Sequence, residues 1–274
     1  MKVVLSIAGS DSGGGAGIQA DIKSAEYHGV FMTTAITAVT AQNTKGVSSI
    51  LLIEPSFVKE QITSVLSDFK VDAIKIGMLA SKELILEIEK IIKKLNIPII
   101  LDPVAISRAG SKLIDDEAIN SLKNLFKYSY LITPNKYEAK LFFDVDSMED
   151  IRKLVNPQTN ILFKNMIERE DKTIDILLKS NGEIKEFENL KAKEGNTHGT
   201  GCSYSSAITS LLAKNYPLID AIKISKDYIY KAIKKAPHLG AGNGPINHSL
   251  KWFIGLSKAL FKQIIHKIRK SKKG

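Results

Sequence analysis

The chain of 274 residues contains one cysteine, Cys202. No internal disulfide can form, and a reducing, cytoplasmic setting is expected. No apolar run reaches the length needed to cross a bilayer. The N-terminal run in "MKVVLSIAGSDSGGG" carries one Lys, is short and β-branched, and stops at glycines. It reads as a first strand, with no targeting segment expected. Repeats and low-complexity stretches are absent before residue 250. Acidic residues are absent from residues 251–274, which hold eight Lys and Arg. The net charge of +10 therefore falls to +2 for residues 1–250. The basic balance belongs to the tail, and a nucleic-acid partner is not expected for the main body. Nor is a membrane partner expected.

What is present is an ordinary globular composition, 44% hydrophobic and 25% charged, with enough chain for a large core. Apolar runs read as strands in "KVVLSIAG", "TTAITAVTAQ", "AIKIG", "IPIILDPV", "YLITPN" and "NILFK". Amphipathic segments alternate with them: "SFVKEQITSVLSDF", "SKELILEIEKIIKKL", "DEAINSLKNLF" and "MEDIRKLV". This order predicts a single α/β domain over residues 1–250, with a mostly parallel sheet covered by helices on both faces. "TIDILLKS" and "EIKEFENL" flank Asn181-Gly182, a hairpin signal. Two helices follow, from Cys202 to about Lys214 and from Leu218 to about Lys235. The basic segment 251–274 has Phe253, Leu256, Leu260, Ile264 and Ile268 at helical spacing. It is expected to form an amphipathic helix packed on the domain or on a second subunit.

In such sheets ligands bind beyond the carboxyl ends of the strands. Ser10 and Asp11, Gln42 and Asn43, Gly77 and Met78, Asp102 and Pro103, Pro134 and Asn135, and Lys164 all close apolar runs. Two glycine-rich stretches join them. "GSDSGGGAGIQAD" fits a dinucleotide fingerprint poorly, lacking the later acidic residue, and no Gly-Lys-Ser/Thr makes it a Walker loop. "HGTGC", His198 to Cys202, opens a helix. Its N–H groups and the helix dipole suit a phosphate or a developing oxyanion. The same field is expected to lower the thiol pKa of Cys202. On these grounds alone Cys202 is either an activated thiol or a small packing residue.

Taken together, "AGSDSGGGAGIQAD", "TAVTAQNTKGV", "IKIGMLAS", "LDPV", "LITPNKYEA", "NTHGTGCSYSSA" and "GAGNGPINH" occur in the order found in the hydroxymethylpyrimidine/phosphomethylpyrimidine kinases, which the chain resembles over residues 3–248. That family belongs to the ribokinase-like superfamily and serves thiamine biosynthesis. The resemblance implies ATP and Mg2+, and two successive phosphorylations of 4-amino-5-hydroxymethyl-2-methylpyrimidine. It implies a pyrimidine pocket at Gly9, Asp21, Gln42 and Met78, and a phosphoryl site at Gly199, Thr200, Gly201 and Cys202, with Cys202 as the base. It places nucleotide contacts at Asn135 and Lys164, and magnesium at Asp102 and Glu138, through water. The superfamily's frequent dimers make a homodimer an expectation. The residue types suit these roles: the Gln42 amide offers both donor and acceptor to an aminopyrimidine edge, and Met78 a polarizable surface for a flat ring.

The chain departs from the family pattern on the nucleotide side. Lys164 is followed by "NMIERED" where Gly-Gly-His is usual, so the loop over the nucleotide is expected to differ. Ala105 replaces a methionine, and Arg108 stands where lysine is common. Two other readings stay open: a pyridoxal or pyridoxine kinase of the same subgroup, whose members share the cysteine, and, from the missing glycines alone, a regulatory protein that binds the pyrimidine without catalysis.

Overall fold

The computed structural model describes residues 1–105, 114, 116–154, 157–192 and 195–250. Arg108 and the tail from residue 251 lie outside them. The strands are β1 (Val3–Asp11), β2 (Phe31–Asn43), β3 (Gly46–Leu52), β4 (Ala73–Ile76), β5 (Ile99–Leu101), β6 (Leu131–Ile132), β7 (Asn160–Arg169), β8 (Lys172–Leu178) and β9 (Ile184–Leu190). They form one sheet in the order β3-β2-β1-β4-β5-β6-β7-β8-β9. Pairing from β2 through β1, β4, β5 and β6 to β7 is parallel, while β3, β8 and β9 extend the two edges antiparallel.

The helices are α1 (Gly17–Tyr27), α2 (Pro55–Asp68), α3 (Lys82–Ile92), α4 (Asp116–Asn124), α5 (Lys136–Phe143), α6 (Met148–Lys153), α7 (Thr200–Ala213) and α8 (Leu218–Lys234). One face of the sheet packs Leu5, Ile7, Ile74 and Ile76 against Val58 and Ile62 of α2 and Leu84, Ile85 and Ile88 of α3. Alternation along β1 and β4 sends Ser6 and Lys75 to the other face, where α1 and α7 contact each other and the sheet. A second core there joins Tyr204, Ile208 and Leu211 of α7 to Ile222 and Ile229 of α8.

Helix α7 is buried on all sides from Ser203 to Ala213 although it is rich in hydroxyls. Its sequence resolves the conflict locally. Ser203, Thr209 and Ser210 donate to the carbonyls of Gly199, Ser205 and Ser206, four residues back. These hydroxyls are thereby satisfied within the helix, Ser206 donates instead to the Asp21 carbonyl, and small side chains let the helix lie close to the sheet.

The hairpin at Asn181-Gly182 is present, closed by a longer loop between Leu178 and Ile184 than a two-residue turn. Strand β3 and helix α5 had no clear pattern. From Ser48 to Leu52 every residue of β3 is exposed, so it shows no alternation of burial. Helix α5 is short and is set by its ends: Asn135 and Glu138 form a reciprocal capping box.

Candidate active site

The carboxyl ends of the parallel strands and the N-termini of α1 and α7 surround a cavity of ≈1000 Å3. Its lining includes Gly9, Gln42, Met78, Asp102, Asn135, Glu138, Lys164, Gly199, Thr200, Gly201 and Cys202, eleven of the twelve residues expected from the sequence. The twelfth, Asp21, is fully buried and is not part of the lining. Its Oδ2 accepts from Lys75 Nζ (2.9 Å) and Ser6 Oγ (2.7 Å). Its Oδ1 has no hydrogen-bond partner among the described residues. Burial pushes the Asp21 pKa up, and Lys75 only partly offsets it.

At one end, Met78 lies against Gly9, whose missing Cβ leaves room for the methionine methyl. The Gln42 amide lies 3.2 Å from both Thr40 Oγ1 and His198 Nε2. At the other end Asp102 is the hub. Its Oδ1 accepts from Lys164 Nζ (2.6 Å) and Thr133 Oγ1 (2.9 Å), and its Oδ2 from Ser205 Oγ (3.2 Å). Burial raises the Asp102 pKa, but Lys164 and Lys75 outweigh it and hold it down. Glu138 is the opposite case. Burial prevails over Lys164, with Asp102 adding repulsion, and lifts its pKa to about 7. Two carboxylates beside one lysine thus hold their protons differently.

Magnesium fits this pair. Asp102 and Glu138 are hard oxygen donors, and a nearby dication would favour the ionised form of Glu138 against its burial. Their oxygens are already engaged with Lys164, Thr133, Ser205 and backbone N–H groups, and no cluster of three or more ligating side chains exists among the described residues. Both facts suit a hydrated ion rather than a stripped one.

The glycine-rich wall of the cavity is built by α7. Gly199 caps it with φ +78, a conformation that suits glycine, and a Cβ there would overlap the carbonyl of Gly15. The first N–H groups of the helix have no intrahelical acceptor. That of Thr200 reaches back to Thr197 O (3.3 Å), as does its hydroxyl (2.6 Å). The backbone of Gly17, opening α1, favours the Cys202 thiolate, and both residues line the cavity, so two helix N-termini meet near the thiol. Even so, the expected lowering of its pKa is not found. Burial raises it, Lys75 opposes, Asp21 and Asp102 add to the rise, and the pKa stands at about 11. Desolvation of the thiolate outweighs the helix field.

Several residues at the site were not singled out from the sequence. Lys75 is completely buried, and the two acids near it raise its pKa against the effect of burial. Its only signal was a lysine inside the apolar run "AIKIG". Asn165, where the family's first glycine would stand, has φ +48 and lines the cavity. Asparagine tolerates that region better than other non-glycine residues. Its N–H donates to Asp175 Oδ1 (2.8 Å), while Asp175 Oδ2 holds Tyr204 OH (2.9 Å) and Lys226 Nζ (2.8 Å). The replaced glycines therefore leave an ordered bulge in β7 tied to α7 and α8. Asn165→Gly should preserve stability, whereas Asn165→Val should cost about 1–2 kcal/mol in urea denaturation. Equal stability of the two variants would show that φ at this position carries no constraint.

The carboxyl ends of parallel strands and a glycine-capped helix facing a lysine–carboxylate cluster fit the class of small-molecule kinases with a ribokinase-like fold. The chain belongs to the phosphomethylpyrimidine kinase family, whose pattern matches residues 11–247. It is 38% identical over 260 residues to the hydroxymethylpyrimidine/phosphomethylpyrimidine kinase of Haemophilus influenzae, covering 90% of this chain and 97% of that one. It is 41% identical to the thiamine biosynthesis bifunctional protein ThiED of Geobacter sulfurreducens, covering 90% of this chain but only 52% of the longer protein. Among solved structures, the ADP complex of Bacillus subtilis pyridoxal kinase superposes with a TM-score of 0.81 at 29% identity, over 91% of this chain and 98% of the other. No described helix is long and apolar enough to cross a membrane.

Proposed function

We propose that the chain phosphorylates 4-amino-5-hydroxymethyl-2-methylpyrimidine with ATP and then phosphorylates the monophosphate to the diphosphate. The observation that carries this reading is one cavity with Gly9, Gln42 and Met78 at one end, Lys164 and Asp102 at the other, and Cys202 between two helix N-termini. The similar kinase of Haemophilus influenzae, matched over nearly its whole length, favours the pyrimidine. The ADP-bound relative supports an adenine nucleotide as donor.

In this mechanism the Gln42 amide and Met78 hold the ring so that the hydroxymethyl oxygen faces Cys202. The thiolate of Cys202 takes the hydroxyl proton while that oxygen bonds to the γ-phosphorus and the bond to the nucleotide's leaving oxygen breaks. N–H groups from Gly199 to Gly201 hold the transferring group, and Lys164 offsets its charge. Magnesium, held through water by Asp102 and Glu138, would supply charge neutralisation on the phosphate oxygens. Asp21 acts from beneath the cavity, setting Lys75, rather than by touching the ring.

ATP consumption measured separately with the hydroxymethylpyrimidine, its monophosphate and pyridoxal tests the proposal. Turnover of both pyrimidines above pyridoxal is expected. Turnover of pyridoxal alone would establish the pyridoxal kinase reading, and pyrimidine binding without turnover the regulatory one.

A further inference from the structure

His198 ends a hydrogen-bond chain that reaches Gln42. Its Nε2 lies 2.8 Å from Asp11 Oδ2 and 3.2 Å from Gln42 Nε2. Asp11 is surrounded by donors: Oδ1 accepts from Gly13 N–H (2.8 Å), and Oδ2 from the N–H groups of Gly15 (3.0 Å) and Ala16 (2.8 Å). Burial raises the Asp11 pKa, yet His198 and these amides outweigh it and hold the group ionised. An ionised carboxylate only accepts, so His198 Nε2 carries a hydrogen whether the ring holds one proton or two.

That hydrogen decides the orientation of the neighbouring amide. An NH2 group facing Nε2–H would set two donors 3.2 Å apart. The other end of the amide meets the same difficulty. Thr40 Oγ1 has a single proton and lies 3.0 Å from the Ser10 carbonyl and 3.2 Å from the Gln42 carbonyl position. Half a turn of the nearly symmetric amide removes both conflicts. Gln42 Nε2–H then donates to Thr40 Oγ1, whose proton goes to Ser10 O, and Gln42 Oε1 shares the single His198 Nε2–H with Asp11 Oδ2 in a three-centre bond whose shorter arm goes to Asp11. The ring is fixed for this task. A Cβ on Gly15 would overlap His198 Cδ2, and the His198 backbone N–H donates to Gly244 O (3.1 Å).

We propose that His198 is a specificity-determining positioning residue, whose Nε2–H, held by Asp11, locks the Gln42 amide so that the cavity meets one donor–acceptor pattern only. The inference rests on the reading of Gln42 as the residue facing the pyrimidine edge. An aminopyrimidine sets an exocyclic N–H donor beside a ring-nitrogen acceptor. Its 4-oxo counterpart sets a carbonyl acceptor beside a ring N–H donor. A freely turning amide suits both, and a locked one suits one.

Calorimetric binding of the 4-amino and 4-oxo pyrimidines to the full chain tests this. The wild type should prefer the amino form by about 10-fold or more, since a mispaired buried donor or acceptor costs about that much. His198→Ala should reduce the preference about 10-fold, chiefly by improving the oxo form. His198→Gln, which can place an N–H on Asp11 from the same position, should restore it to within about threefold. Equal weakening of both ligands in His198→Ala, with the preference intact, would overturn the lock, as would a wild-type preference near one. Gln42→Ala separates the two readings. A preference that survives it removes Gln42 from the ring edge, whereas a preference lost there but kept in His198→Ala removes only the lock.

Discussion

Cys202→Ala should slow phosphorylation of the hydroxymethyl substrate by about 10²–10⁴-fold, the usual loss on removing a general base, and slow the second phosphorylation far less. The asymmetry follows from the acceptors. An alcohol must lose a proton as it attacks, whereas a phosphate monoester is largely ionised at neutral pH. The environment of the thiol adds a second, independent expectation. With burial and two nearby acids lifting its pKa to about 11, the thiolate is scarce at neutral pH. A raised pKa keeps the proton on the thiol, so the base form grows about tenfold per pH unit until pH nears the pKa. For the first step kcat/KM should therefore climb with pH between about 6 and 9, in proportion to the thiolate, and the Cys202→Ala variant should lose that slope. Steady-state kinetics with each acceptor decide the matter. Equal losses in both steps, or a flat first-step profile in the wild type, would remove Cys202 as the base.

The largest effect on stability is expected from Lys75→Met. Lys75 and Asp21 are both fully buried and 2.9 Å apart. Removing the lysine leaves Asp21 and Asp102 with less countercharge in a dry setting, and breaking such a pair from one side costs about 3–5 kcal/mol. The double variant Lys75→Met with Asp21→Asn should recover much of the loss, because no uncompensated charge remains. Urea denaturation of the two variants supplies the numbers. A Lys75→Met protein as stable as the wild type would mean that Asp21 is neutral in the native state and that the pair carries no ionic interaction. The same experiment bears on catalysis. Lys75 is the main charge that opposes the rise in the Cys202 pKa, so its loss should depress the first phosphorylation even where the protein stays folded.

These two residues show what local pattern conveys. The alternation of apolar runs and amphipathic segments indicated the parallel sheet and both of its helical layers, because burial on a strand or helix repeats with a short period. The glycines before Cys202 indicated a helix N-terminus, because only a few residue types suit that cap. Strand β3 escaped because an exposed edge has no inward face to mark, and α5 because its ends rather than its stripe define it. The glycines of "GSDSGGGAG" drew attention as a possible ligand cradle. In the fold, the N–H groups of Gly13, Gly15 and Ala16 are taken by Asp11, and Gly15 makes room for His198.

The order of elements, the strand ends at which polar residues gather, and the one cysteine at the start of a helix are legible along the chain. The raised pKa of that cysteine, the withdrawal of Asp21 from the cavity to Lys75, and the pairing of Asp11 with His198 across 187 positions of chain arise only once distant segments pack together. The division has a physical cause. Backbone propensity and burial period act over a few residues, but desolvation and charge pairing depend on which distant segments pack around a group. The thiol at "HGTGC" experiences its own helix's field and, more strongly, the loss of water imposed by α1, β4 and β5.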